Sequence, residues 1–256
     1  MASAPPAPTG RPRPRSIALD GPAAAGKTTV GLRLAARLGM LCFDTGLIYR
    51  ALTVAALRAG IAGEDAPGLV ALCARAPIEL LPDPGSPGGS RVTVGGEDVT
   101  DALRRPEVDA AVSAVSGHAA VRANLLEAQR RIAASQPIVM LGRDIGTVVL
   151  PDADLKLFLD ASAEARARRR FRERLARGEP VVYAEILARM QARDAQDRGR
   201  AVAPLRAAPD AVVVDSDRCD VEQVLALLIA LAERWPDRLT REGGRVACAP
   251  NEGGAA

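Results

Sequence analysis

The sequence predicts an α/β protein: a parallel sheet flanked by helices, with a small antiparallel insert and an arginine-rich lid. Three observations point there. A short apolar run, Ser16-Ile17-Ala18-Leu19-Asp20, precedes a glycine-bounded loop and then helix-forming sequence. Strand-like and helix-like stretches then alternate, as crossover connections in a parallel sheet require. In the middle of the chain that rhythm stops, and two strand-like runs are joined by turn residues alone.

In chain order, the first strand ends at Asp20 and a helix runs over about 27–38, with Gly39 placed to end it. Leu41-Cys42-Phe43 reads as a second strand, and about 49–59 as a second helix stopping near Gly60. The insert covers about 64–105; its strands are Ile78-Glu79-Leu80-Leu81 and Arg91-Val92-Thr93-Val94, with the Pro- and Gly-rich stretch 82–89 between them. Pro106 opens a helical region reaching about 135. Core strands follow at Ile138-Val139-Met140-Leu141 and at Leu155-Lys156-Leu157-Phe158-Leu159. The segment 162–182 begins with an Arg-dense helix for which Ser162 is an N-cap, and another helix covers about 183–196. Ala211-Val212-Val213-Val214-Asp215 is the last predicted strand, and 221–235 the closing helix. One domain over 16–236 is expected, with a disordered leader at 1–15 and a flexible tail at 237–256.

Composition narrows the function. The 256 residues carry a formal net charge of only +3, and aromatics make up 2%. Neither a polyanion-binding surface nor stacking platforms for single-stranded nucleic acid are indicated. No apolar run approaches the roughly 20 residues of a membrane span, and the N-terminus lacks the apolar stretch of a signal peptide. The four cysteines, Cys42, Cys73, Cys219 and Cys248, have no zinc-type spacing and read as reduced thiols of a cytoplasmic protein. A monomer is expected.

Only two of the 34 basic residues are lysines, Lys27 and Lys156. Lys27 completes Gly21-Pro22-Ala23-Ala24-Ala25-Gly26-Lys27-Thr28, a full G-x-x-x-x-G-K-[ST] phosphate-binding loop between a predicted strand and a predicted helix. Glycines let backbone N–H groups turn toward phosphates, and the helix N-terminus favours their charge. Lys27 is placed to reach the β- and γ-phosphates of ATP, and the Thr28 hydroxyl is the candidate Mg²⁺ ligand, with Thr29 next to it on the helix. The fold is thus of P-loop NTPase type. No base-reading Asn/Thr-Lys-x-Asp element of a GTPase is present. Where a motor ATPase holds carboxylates at a strand end, this chain has Gly142-Arg143-Asp144. Arginines there suit transfer between two phosphate-bearing substrates.

Three further clusters follow that logic. Asp44-Thr45-Gly46-Leu47-Ile48-Tyr49-Arg50 lies after the second strand, and Gly142-Arg143-Asp144-Ile145-Gly146-Thr147 after another, both at the sheet edge where α/β proteins bind ligands. Arg193-Asp194-Ala195-Gln196-Asp197-Arg198-Gly199-Arg200 leaves a helix. Together with the phosphate loop, in this order, these segments resemble bacterial cytidylate kinases from about residue 17 to 235. The resemblance implies a kinase that moves phosphate from Mg-ATP to CMP or dCMP. Arg50, Arg143 and Arg200 would hold the CMP phosphate, with Lys27, Arg143 and Arg200 acting in catalysis. Arg193 and Asp197 would contact the ribose; Ser113, with Ser116 one helical turn on, Arg122 and Asp144 would read cytosine. Thr45 stands where the family puts a hydroxyl near the nucleotide. Arg166, Arg168, Arg169, Arg170 and Arg174 fall where the family has a mobile lid; one or two would touch ATP phosphates, and the others would be solvated or paired with Glu164 and Glu173. Leu47 is larger than the family's usual residue. His118, the only histidine, reads as a solvated helix-start residue rather than a base. A kinase for another small acceptor, or a nucleotide-binding protein without turnover, shares the phosphate loop but not this arginine set.

Overall fold

The computed structural model describes residues 12–83 and 90–248. β1 (Ser16–Asp20) passes through the phosphate loop into α1 (Lys27–Leu38), which Gly39 closes at φ 68°, a left-handed conformation that suits glycine. β2 (Leu41–Asp44) turns at once into α2 (Thr45–Arg58), because the Asp44 carboxylate accepts from the Gly46 amide at 2.9 Å and caps the helix. The helix therefore starts before residue 49, where the periodicity alone put it. α3 (Ala66–Arg75) is a helix the sequence reading left out; Asp65 caps it and Pro67 sits in its first turn.

β3 (Ile78–Pro82), β4 (Ser90–Val94) and β5 (Glu97–Asp98) form the antiparallel insert in that order. Its expected turn at 84–89 lies outside the described residues. After a short 3₁₀ turn (Thr100–Arg104) come α4 (Pro106–Gly117) and α5 (Ala119–Ser135). The long helix expected over 106–135 is thus two helices. His118 breaks it: its backbone is extended at ψ 123°, and its Nε2–H donates to the Gly63 carbonyl at 2.7 Å. The histidine does start a helix, as the N-cap of α5, but it is half-buried and tied to Gly63 rather than solvated.

β6 (Ile138–Gly142), a π-helical turn (Ile145–Val149), β7 (Leu155–Asp160), α6 (Ala163–Ala176), α7 (Tyr183–Arg198), β8 (Val212–Asp215) and α8 (Val221–Arg234) complete the expected pattern. The main sheet has order β2-β6-β1-β7-β8-β9, and every pair in it is parallel. Its last strand belongs to the segment expected to be a loose tail. After α8, Asp237 caps α9 (Arg238–Glu242), and Gly243 at φ 79° lets β9 (Gly244–Ala247) fold back beside β8. A Cβ at Gly243 would come within 2.7 Å of the Ala211 carbonyl oxygen, so only glycine fits this turn. Cys248 then joins Cys219 in a disulfide, with Cα atoms 6.0 Å apart, whereas Cys42 and Cys73 are free. The reading of four reduced thiols is corrected at this pair, because the returning strand brings together cysteines 29 positions apart. At the other end, order begins by Arg15, whose amide donates to the Asp154 carboxylate at 2.8 Å. Residues 1–11 and 249–256, also expected to be disordered, lie outside the described residues.

Period-two alternation along the central strands builds two cores. Ile17, Leu19, Val139, Leu141, Leu155 and Leu157 face α1 and α8, where Val30, Leu34 and Leu228 are buried. Ala18, Ile138 and Met140 face the other way, toward Ile48 and Ile145. Among the described residues no helix is long and apolar enough to cross a membrane.

Candidate active site

Both regions expected to handle phosphate sit at the carboxyl ends of the parallel strands. The loop after β1 carries three unusual backbone conformations. Gly21 at φ 150° passes so close to Leu159 that a Cβ would lie 2.2 Å from its carbonyl oxygen. Gly26 at φ 94° and Ala24 at φ 58° turn the chain, and Gly26 starts α1 with no side-chain cap and no acid in the first turn. The first amides of α1 are thus left for an anion. Pro22, Ala23 and Ala25 complete the wall; Thr29 is exposed on the first turn.

Lys27 is 8% exposed, and its Nζ donates to the carbonyls of Gly21 and Pro22 at 2.8 and 2.7 Å. Burial, and then the Arg143 charge, push its pKa well below the usual lysine range, against the carboxylates of Asp44, Asp20 and Asp197. Thr28 Oγ1 donates to the Asp44 carboxylate at 2.8 Å. Asp44 therefore holds two neighbours in place, one oxygen on the Gly46 amide and the other on Thr28.

In the region expected to take the acceptor, buried Thr45 donates to the Leu141 carbonyl at 2.9 Å and pins the start of α2 to β6. Arg50 donates to the Leu103 carbonyl at 2.8 Å and to Asp109 at 2.6 Å. Arg122 lies over the Tyr49 ring, 5.3 Å from its centroid, donates to the Ser116 carbonyl at 3.2 Å and pairs with Asp144. Burial raises the Asp144 pKa even though Arg122, Arg200 and Arg143 all oppose it. Asp197 is 1% exposed and stands between Arg143 Nε at 3.2 Å and Arg200 at 2.6 Å. Arg200 also donates to Ser116 Oγ at 3.0 Å and to the Ser113 carbonyl at 3.4 Å. Arg193 lies 3.9 Å from Asp109; burial and the Arg143 charge bring its pKa down to about 10. Its Nε is buried with no hydrogen-bond partner among the described residues.

Every acceptor-side residue expected from sequence lies in this one region: Thr45, Arg50, Ser113, Arg122, Arg143, Asp144, Arg193, Asp197 and Arg200. The charges of Arg143 and Asp197 act on Lys27, which joins the region to the phosphate loop. A family model described as cytidylate kinase matches residues 17–234. The chain belongs to the cytidylate kinase family. It is 48% identical over 209 residues to the cytidylate kinase of Geobacter sulfurreducens, covering 82% of this chain and 88% of that protein. It is also 48% identical over 216 residues to that of Geobacillus kaustophilus, covering 84% and 95%. The protein is a kinase, a phosphate-transferring enzyme, and α9 and β9 lie beyond the family match.

Several residues of this cytidylate kinase family member escaped the sequence reading. Asp109 sits in the first turn of α4, where an acid reads as an ordinary helix-start charge. Asp20, the last residue of β1, accepts from the amides of Ile145 and Gly146, both at 2.8 Å, and so fastens the turn after Arg143-Asp144 to the strand that carries the phosphate loop. The expected lid also needs correction. Arg166 is 1% exposed and ties the Ala23 carbonyl, at 2.9 Å, to the Ala161 carbonyl and to Asp194. It is an internal strut, not a mobile arm. Arg169 donates to the carbonyls of Ser216 and Cys219, Arg170 pairs with Glu173, and Arg174 pairs with Glu179 rather than with Glu164 or Glu173. Arg168 is exposed. Beside Arg166, a cavity of about 550 Å³ opens between the ends of β7 and β8 and the helices α6 and α7, lined by Asp160, Ser162, Asp194, Arg198 and Asp215.

Asp20 supplies a pH test. Burial raises its pKa from 3.8 to about 6, against the two amide hydrogen bonds. The folded state then holds this proton more tightly than the unfolded state, so its contribution is fullest below pH 4 and is lost as pH rises through about 6. In Asp20→Asn that component disappears. Melting temperatures of the two proteins across pH 4 to 7 check this: the difference (variant minus parent) should rise over that range, and a constant difference contradicts it.

Proposed function

We propose that this kinase transfers the γ-phosphoryl group of Mg-ATP to CMP and dCMP, releasing ADP with CDP or dCDP. The observation that carries the reading is the convergence of Arg50, Arg143, Arg193 and Arg200 with Asp197 on the same sheet edge as the phosphate loop, coupled to Lys27 by charge. The phosphate loop binds the ATP phosphates through its backbone amides. Lys27 leaves the carbonyls of Gly21 and Pro22 for the β- and γ-oxygens. Arg50, Arg143 and Arg200 hold the acceptor phosphate, and Arg193 and Asp197 the sugar. A CMP phosphate oxygen attacks the γ-phosphorus. The bond to the β–γ bridging oxygen breaks, and its electron pair leaves with ADP. No proton need be removed, so none of the carboxylates in these clusters has to act as a base. Lys27, Arg143 and Arg200 stabilise the charge that spreads over the moving group.

The donor set suits magnesium. Thr28 offers a hydroxyl and Asp44 a carboxylate, 2.8 Å apart, and no group of three or more metal-binding side chains occurs among the described residues. Phosphate oxygens and water would supply the remaining ligands, as this ion prefers. Thr28 would hold Mg²⁺, which would offset the charge of the ATP phosphates.

Cytosine selection follows from the buried Arg122–Asp144 pair. The Asp144 carboxylate accepts from the N4 amino group, and Arg122 and the serines Ser113 and Ser116 donate to O2 and N3. Uracil presents an acceptor in place of the amino group and sets it against that carboxylate, which disfavours UMP by roughly 10²-fold or more in kcat/KM. The test is coupled ADP release with Mg-ATP and CMP, dCMP, UMP, AMP, GMP or shikimate. Turnover strongest with CMP and dCMP is expected. Activity confined to another acceptor overturns the pocket assignment, and silence in folded protein that still binds ATP overturns turnover itself.

A further inference from the structure

We infer that Asp109 is a built-in stand-in for the substrate phosphate: a carboxylate that occupies the arginine cluster in the free enzyme and is displaced when CMP arrives. The inference rests on the reading of that cluster as the acceptor-phosphate site. One oxygen, Oδ1, lies 2.6 Å from an Arg50 terminal nitrogen and 3.9 Å from one of Arg193. A point between two guanidinium forks is where a phosphate oxygen binds best.

The cluster needs a counter-charge when empty. Burial and the positive charges of Arg143 and Arg50 both lower the Arg193 pKa, so the guanidiniums destabilise one another. Two carboxylates lie close enough to offset this. Asp197 is buried and held from both sides by Arg143 and Arg200, so it cannot leave without breaking both contacts. The Asp109 side chain is 37% exposed and hangs from the first turn of α4, so a rotation of its own side chain takes it into water. Arg50 is likewise turned toward this side, its two terminal nitrogens on Asp109 and on the Leu103 carbonyl. A phosphate dianion entering between Arg50 and Arg193 meets that carboxylate at short range, and the two like charges cannot share the site.

The consequence is selectivity for a complete nucleotide. A lone inorganic phosphate must displace Asp109 with phosphate contacts only. CMP has its base and sugar contacts as well, and part of their binding free energy offsets the displacement.

Calorimetric titration of the full chain with CMP, cytidine and inorganic phosphate tests this. Asp109→Asn and Asp109→Ala remove the charge, and Asp109→Glu keeps it. In the neutral variants the Kd for CMP and for inorganic phosphate is expected to fall about three- to tenfold, while the Kd for cytidine, which has no phosphate, stays put. Asp109→Glu should stay near the parent protein. An unchanged or weaker CMP affinity in both neutral variants, or an equal gain for cytidine, overturns the inference. Arg50→Ala separates the underlying reading: loss of CMP affinity with cytidine unaffected supports the phosphate site, and unchanged CMP affinity overturns that reading itself.

Discussion

Replacing Lys27 with alanine is expected to lower kcat by roughly 10²- to 10³-fold while the protein stays folded. The lysine ammonium is the one positive charge that the phosphate loop itself carries, and it sits 8% exposed at the start of α1. In the free enzyme two loop carbonyls hold it, Gly21 and Pro22, so no other side chain loses its ion pair in the variant. Two opposing effects on stability then nearly cancel. The carbonyls lose their donor, and a charge whose burial is unfavourable disappears, as its lowered pKa shows. The melting temperature should shift by no more than about 4 °C. Arginine should not restore turnover, since a planar fork cannot take the place of a compact ammonium beneath the loop. Turnover in Lys27→Ala within tenfold of the parent, measured by coupled ADP release, would remove Lys27 from the mechanism.

The largest effect on stability is expected at Arg166. This side chain holds the Ala161 carbonyl at the end of β7, the Ala23 carbonyl of the phosphate loop and the Asp194 carboxylate of α7. Arg166→Met keeps much of the volume but leaves Asp194, 8% exposed, without its counter-charge. Breaking a buried pair from one side costs about 3–5 kcal/mol, which lowers the melting temperature of a domain this size by roughly 6 to 20 °C. Thermal unfolding of Arg166→Met and of Arg166→Met/Asp194→Leu distinguishes the causes. The double variant should recover much of the loss, because two apolar groups replace a pair whose desolvation is itself unfavourable. If both unfold alike, the carbonyl contacts matter more than the charge. A loss under about 1 kcal/mol would make Arg166 a surface-type pair after all.

The phosphate loop was legible because its function demands a contiguous pattern: glycines where the backbone is tightest, and Lys27 and Thr28 at fixed offsets on one helix. The parallel sheet was legible for a related reason, since its strands are buried on both faces and stand out as apolar runs. Arg50, Arg143 and Arg200 were legible through short motifs at strand and helix ends. What sequence left hidden is contact between distant positions. Nothing in Asp109 or Arg193 alone announces that α4 and α7 bring them together. Arg166 read as one of five interchangeable lid arginines because it stands in a run of them, and only the packing of α6 against α7 separates it from Arg168. The last strand was missed because Gly243 and Gly244 read as fraying, when their backbone freedom is what lets the chain return to β8.

The strand order carries a consequence for the birth of the protein. β1 lies between β6 and β7, so its first neighbour starts at Ile138 and its second at Leu155. β2 pairs with β6 as well, not with β1. During synthesis the phosphate-binding segment thus emerges early and has no sheet to join until more than half the chain has followed. Until then its apolar strand is open to other partners. β1 is covered on both sides only after β7 has followed β6.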